Sequence, residues 1–308
     1  MKKVFFVNGG AGRVLCSIPA FLKYYKSHGN DFYIISESGM EFFVGIPELT
    51  DVVYDLSHKG VFESIIKPNQ CVTLEPYREY GYYNQQKSLI ESFDKLVNET
   101  DDHSDLPRTV INLNQKEEIN AVDIINKSKE YHGKKKVVVL QPFGRSSELH
   151  EKSGQVIDIS SRSLTTDDYY YISEKIRKKY NVITMSEIKF KNDKNLHIDT
   201  NLRQWAGVIE AADYFVGVDS VGQHMAYAFD KPGSVIIGST FAENISYPNH
   251  FNIVEKKDQQ KKYSPIRIEG IDSDLANRYN DKCMSFSKRE IEEITTKILR
   301  HIKSKIGE

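Results

Sequence analysis

Residues 202–226 read LRQWAGVIEAADYFVGVDSVGQHMA. Leu202, Trp205, Val208 and Ile209 recur at helical spacing, so the first ten residues form an amphipathic helix. Tyr214 to Val218 is an unbroken apolar run, the pattern of a strand buried on both faces of a parallel sheet. Asp219 and Ser220 then fall at the carboxyl end of that strand, and Gly222 stands where a second helix, to Phe229, begins. In open α/β sheets ligands sit in the crevice beyond the strand ends. A helix N-terminus there offers backbone amides and a favourable dipole to an anion. The stretch therefore predicts a Rossmann-like unit with an anion site, best matched to a diphosphate.

The same grammar extends in both directions. Val137 to Leu140, Val182 to Met185 and Ser234 to Ile237 are further strands, and a helix spans about Asp167 to Lys179. Nearer the N-terminus, Lys3 to Val7 leads into Asn8-Gly9-Gly10-Ala11-Gly12. Val14, Leu15, Ile18, Phe21, Leu22 and Tyr25 follow at helical spacing. Pro19 is tolerated there if the first turn begins near Leu15 or Cys16. Strands are expected at Phe32 to Ile35, Val52 to Tyr54, Cys71 to Leu74 and Thr109 to Leu113, and helices at Ser88 to Val97 and Lys116 to Lys129. Tyr131 to Lys136, with glycine and charge, reads as a linker. The expectation is two α/β domains, 1–133 and 134–308, facing each other across an interdomain cleft. Near the end, Ser287-Lys288-Arg289-Glu290 is a capping box, and Ile291, Ile294, Ile298 and Ile302 form one face of a final helix expected to pack back toward the first domain. Residues 255–263 are lysine-rich and read as a solvated loop.

Composition narrows the function. The chain has 308 residues, enough for two cores. Its three cysteines are scattered and supply neither a disulfide framework nor a CxxC metal pair, which points to a reducing, cytoplasmic compartment. The apolar run Val4 to Val7 is too short for a signal peptide, and no run approaches a membrane span. Residues 1–135 hold 16 basic and 19 acidic side chains and the remainder 26 and 24, so the second half is marginally the better host for phosphate.

Several residues carry competing readings. The turn at Gly9 to Gly12 lacks GxGxxG spacing, which argues against a nicotinamide cofactor; it is either a phosphate-side turn or a tight connection. Asp219 and Ser220 can serve a donor or cap a helix. His224 is either a packed helix residue or a donor contact. Tyr77, Tyr80, Tyr82 and Tyr83 could stack on an acceptor or form a half-buried cluster.

The order Asp219, Ser220, His224, Ala226, Ala228, Pro232, Gly238, Ser239, Thr240 and Pro248 resembles the C-terminal signature of the heptosyltransferase-like glycosyltransferase family nine, of GT-B architecture. The segment GRVLCSIPA, residues 12–20, is similar to that family's opening motif. The resemblance implies an inverting, metal-independent transfer of a sugar from a nucleotide diphosphate sugar to a hydroxyl, with no cofactor. Gly12, Arg162, Asp219, Ser220, Val221, Gly222, His224 and Thr240 are expected on the donor side. Arg162 is the positional match, with Arg145 next, to a basic residue that holds the donor diphosphate between Phe143 and Thr165, a stretch in which Ser146 to Ser161 looks like an insertion.

Two departures stand out. Val221 replaces a glycine, and Arg13 stands where the family has its proposed catalytic aspartate. A guanidinium stays protonated and cannot be a base, so Arg13 is expected to neutralise donor phosphate or an anionic acceptor. The base is then expected at a strand end of the first domain, at Glu75 or, second, Glu37.

The opening also looks like members of the family from T-even-type phages. The acceptor is accordingly either hydroxymethylated cytosine in phage DNA, reached as a flipped base, or a cell-surface saccharide such as lipopolysaccharide core. The rivals are a nucleotide-sugar epimerase and a non-catalytic nucleotide-sugar-binding protein.

Overall fold

The computed structural model describes residues 1–145, 147–158, 160, 162–190, 193–198, 200–256 and 283–307. It divides into two compact units, Met1–Asn114 and a second that starts at Gln115.

The first unit comprises β1 (Lys3–Val7), α1 (Ala11–His28), β2 (Phe32–Ser36), β3 (Val53–Asp55), β4 (Gln70–Thr73), α2 (Tyr80–Tyr83) and α3 (Leu89–Asn98). Its sheet is parallel in the order β3-β2-β1-β4. Alternation along β1 splits its side chains between two faces. Phe5 meets Phe21 and Tyr24 of α1 and Phe32 of β2. Val4 packs with Ile35, Val61 and Ile65 on the other side. Ser88 caps α3 in a capping box with Glu91, so the helix begins at Leu89, one residue after the predicted start.

Three expectations for this half are corrected. Helix α1 starts at Ala11, so Pro19 lies in its interior; the buried face through Val14, Leu15, Ile18 and Phe21 compensates for the donor that proline lacks. Thr109 to Leu113 forms no strand and pairs with none among the described residues. The linker reading of Tyr131 to Lys136 also fails, because Gly133, at φ +68°, is the stop of a helix and donates its N–H to Lys129 O.

That helix, α4 (Gln115–His132), belongs to the second unit. Ala121, Ile125 and Ser128 are buried along one of its faces, and Glu117 accepts two hydrogen bonds, at 2.6 and 2.7 Å, from the guanidinium of Arg203. Packing places the division at 114/115 and not at 133/134.

The second unit continues with β5 (Val137–Gln141), β6 (Ser147–His150), β7 (Gln155–Asp158), α5 (Thr166–Arg177), β8 (Asn181–Thr184), β9 (Leu196–His197), α6 (Leu202–Ala211), β10 (Tyr214–Val218), α7 (Val221–Ala228), β11 (Gly233–Ile237), α8 (Ala242–Ile245), β12 (Asn252–Glu255) and α9 (Lys288–Ile306). Six strands form a parallel sheet in the order β12-β11-β10-β5-β8-β9. Renumbered within the unit this is 3-2-1-4-5-6, the Rossmann order, whose direction reverses between β5 and β10. The expected insertion contains the antiparallel hairpin β6-β7.

Ser287 and Glu290 cap α9 reciprocally. Its isoleucines at 291, 294, 298 and 302 join the core that contains Val138, Val216 and Ile236, so the last helix completes the second unit's own core. Of the lysine-rich run, 257–263 lie outside the described residues.

Candidate active site

Each sheet has a crevice where its strand order reverses, and each crevice holds a charged pair. In the second unit the crevice lies beyond β5 and β10. The sheet beneath is apolar, yet Gln141, Asp219, Gln223, His224, Ser239, Thr240 and Asn244 are all buried at or beyond its carboxyl edge. Buried polar groups persist where partners hold them, and the partners here form one network. Gln141 at the end of β5 donates from Nε2 to Ser220 Oγ at 3.2 Å and accepts through Oε1 from the Gly222 amide at 2.9 Å. One side chain thus ties the central strand to the first turn of α7, whose N-cap is Ser220.

Asp219 accepts from Gln223 Nε2 at 3.1 Å through one oxygen and from Thr240 Oγ1 at 3.0 Å through the other. Arg162 Nη1 lies 3.9 Å from that second oxygen. The turn that delivers Arg162 is organised by Asp158, which accepts from the amides of Ser160, Arg162 and Ser163 and from both serine hydroxyls. Burial raises the pKa of the Asp158 carboxyl, but these hydrogen bonds outweigh it and hold the group below its ordinary value. Arg145 is exposed.

His224 Nδ1 is 2.7 Å from the Tyr247 hydroxyl, and Tyr247 is itself stacked on Tyr227 at 3.7 Å. Burial, with the nearby Arg162 charge, pushes the imidazole from 6.5 down to about 3, so it is neutral at physiological pH.

Gly222 is required by packing. A Cβ there would stand 2.3 Å from Gln141 Oε1 and 2.9 Å from the Phe215 ring. Its amide is engaged by Gln141, so the expectation that the Gly222 N–H points at a diphosphate is corrected. Val221 is partly exposed in the first turn of α7.

In the first unit the crevice lies beyond β1 and β4. Arg13, in the first turn of α1 beside Gly12, is 7% exposed. Its Nη2 donates to Leu74 O at 2.5 Å, and Nη1 lies 3.2 and 3.4 Å from the two Glu75 oxygens. The guanidinium carbon sits 5.0 Å from the centre of the Tyr77 ring. Two residues that the sequence places 62 positions apart are therefore one pair, and the cation expected to meet an anionic ligand already faces a carboxylate. Glu37 is exposed at the end of β2.

The tyrosines separate. Tyr82 is fully buried and packs against Tyr77, which corrects its place among acceptor contacts; Tyr80 and Tyr83 are 73% and 47% exposed. Gln141, Gln223 and Tyr247 were not anticipated from sequence.

A glycosyl transferase family 9 protein from Veillonella parvula superposes with a TM-score of 0.62, covering 97% of each chain at 11% identity. The chain has the fold of that family. The ADP-heptose lipopolysaccharide heptosyltransferase II of E. coli matches at 0.57, over 97% of this chain and 99% of that one, at 11% identity. The iron-containing dodecameric glycosyltransferase TibC of enterotoxigenic E. coli also matches at 0.57, over 97% and 78%, at 9% identity. No profile of a known protein family matches the sequence, and no curated protein sequence does. Among the described residues no group of three or more His, Cys, Asp or Glu side chains is arranged to hold a metal, and no helix is long and apolar enough to cross a membrane.

Proposed function

We propose that this protein transfers a sugar, with inversion, from a nucleotide diphosphate sugar to an acceptor hydroxyl. The observation that carries the reading is the buried polar network at the strand-order reversal of the second unit. There a helix N-terminus, Arg162 and a neutral His224 converge beyond β5 and β10. The guanidinium supplies charge to a diphosphate and the imidazole supplies a hydrogen bond. Asp219, with its oxygens on Thr240 and Gln223, orients Arg162 and does not meet the phosphate, which would repel it. The fold supports the reading, since a TibC structure with this fold was solved with ADP-D-β-D-heptose.

The first unit supplies the base. As the acceptor oxygen forms its bond to the anomeric carbon, its proton passes to the Glu75 carboxylate. The bond from that carbon to the diphosphate oxygen breaks, and the electron pair leaves with the nucleoside diphosphate. Glu37 is the second choice for this role.

Two acceptors are consistent with the first unit, each on a separate observation. Its 11 basic and 15 acidic residues in 1–114 disfavour a polyanion and favour a saccharide. The exposed rings of Tyr80 and Tyr83 favour a flipped hydroxymethylcytosine. Incubating the protein with radiolabelled nucleotide sugars and either hydroxymethylated DNA or lipopolysaccharide core decides between them. Label on DNA or on saccharide names the acceptor. Isomerised sugar with no transfer would make the protein an epimerase, and tight nucleotide-sugar binding without turnover would make it a binding protein.

A further inference from the structure

We propose that Arg13 is a positioning residue that fixes the Glu75 carboxylate at the mouth of the first unit's crevice, an inference that rests on the transfer reading above. Arg13 is built in from several sides. Gly9, at φ +92°, has no Cβ, and one placed there would stand 2.9 Å from Arg13 Cδ, so the turn after β1 is shaped around the arginine stem. The Tyr77 and Phe93 rings lie 5.0 and 6.0 Å from the guanidinium carbon. Nη2 is anchored on Leu74 O at the end of β4, and Nη1 reaches the adjacent carboxylate.

The carboxylate is held without being saturated. Glu75 retains 27% side-chain exposure, while its Oε1, 3.2 Å from Nη1, is buried and takes no hydrogen bond among the described residues. A carboxylate has about four acceptor sites, so a hydroxyl that meets the exposed part of this side chain can still donate to the carboxylate. A pair formed only for stability would be expected to satisfy both partners, yet Arg13 Nε is also buried without a hydrogen-bond partner. The geometry is that of an oriented acceptor of protons. The positive charge of Arg13 is committed to Glu75, which leaves the donor diphosphate to the second unit.

The test is a double-mutant cycle on kcat with the full chain, labelled nucleotide sugar and whichever acceptor wild type labels. Glu75→Gln is expected to lower kcat by about 10² or more, and Arg13→Gln by about 10-fold or more, both with donor KM unchanged. Arg13→Gln made in the Glu75→Gln background is expected to cost nothing further, because the positioned group is gone. Arg13→Lys, which keeps the charge but cannot serve Leu74 O and Glu75 together, should fall between wild type and Arg13→Gln. If Arg13→Gln does not fold, the Arg13→Lys arm and Glu75→Asp carry the test. Glu75→Asp retains the charge but withdraws it, and positioning requires a loss close to that of Glu75→Gln. Additive losses, a raised donor KM for Arg13→Lys, or wild-type kcat in Glu75→Asp would overturn the proposal while leaving the transfer reading intact. Absence of any transfer by wild type would instead remove that reading.

Discussion

The Nδ1 atom of His224 lies 2.7 Å from the hydroxyl of Tyr247, and burial of this imidazole, with the Arg162 charge beside it, keeps the ring neutral. The pair has a consequence for stability. His224 titrates near 3 in the folded chain and near its ordinary 6.5 when unfolded, so between those values the unfolded chain binds more protons. Stability from this group is fully present above pH 6.5 and is lost as pH falls toward 3, at no more than about 1.4 kcal/mol per pH unit. His301, lowered chiefly by burial, adds a contribution of the same sign. Denaturant melts of His224→Gln should show a shallower dependence on pH across this window than wild type. Parallel curves would mean that His224 is not buried as a neutral ring.

Gly222 offers a test of packing against ligand approach. Because a Cβ collides with Gln141 Oε1 and the Phe215 ring, Gly222→Ala is expected to destabilise by about 1–3 kcal/mol through overpacking. The effect should appear in Tm without ligand. A Gly222→Ala protein with wild-type Tm and weakened nucleotide binding would restore the view that its amide faces the diphosphate.

The tyrosine segment should divide by burial. Tyr82→Ala removes a fully buried ring and is expected to cost about 3–5 kcal/mol. Tyr80→Ala and Tyr83→Ala should leave Tm within about 0.5 kcal/mol of wild type in equivalent free energy. Any change they cause in transfer then reports on the acceptor. Equal destabilisation by all three would contradict the division.

The contrast between what the sequence disclosed and what it hid follows the range of the interactions. Leu202–Ala211 and Tyr214–Val218 were legible to the residue, because a strongly periodic helix and a fully apolar strand are local signals. Gly133 was misread because a helix-stopping glycine followed by lysines has the same composition as a linker, and only the packing of α4 on α6 distinguishes them. Thr109 to Leu113 looked like a strand because β-branched and apolar composition is a local signal, whereas a partner strand is not. The hairpin in 147–158 turns at Gly154, φ +68°, without an Asn-Gly or Asp-Gly signal. Arg13 and Glu75 were each singled out, but their pairing depends on β4 lying next to β1. Gln141 was invisible for a similar reason, since its function arises from the adjacency of β5 and β10.

Gln141 therefore supplies a test that separates folding from binding. Its Oε1 serves the Gly222 amide as a helix cap supplied by a neighbouring strand, while the Ser220 hydroxyl takes a hydrogen from its Nε2. Gln141→Ala deletes both contacts and should lower stability by about 0.5–2 kcal/mol, the usual cost of a lost cap, and weaken nucleoside diphosphate binding with it. Gln141→Glu behaves differently. The carboxylate still accepts from Gly222, the Ser220 hydroxyl can rotate to donate to it, and negative charge at a helix N-terminus is favourable by about 0.3–1 kcal/mol. The same charge repels a diphosphate bound at that terminus. Gln141→Glu should thus keep or raise Tm while reducing nucleoside diphosphate affinity by 10-fold or more, about 1.4 kcal/mol, as read by calorimetric titration. Undiminished affinity in a folded Gln141→Glu protein would place the diphosphate away from α7 and remove the principal support for the donor site.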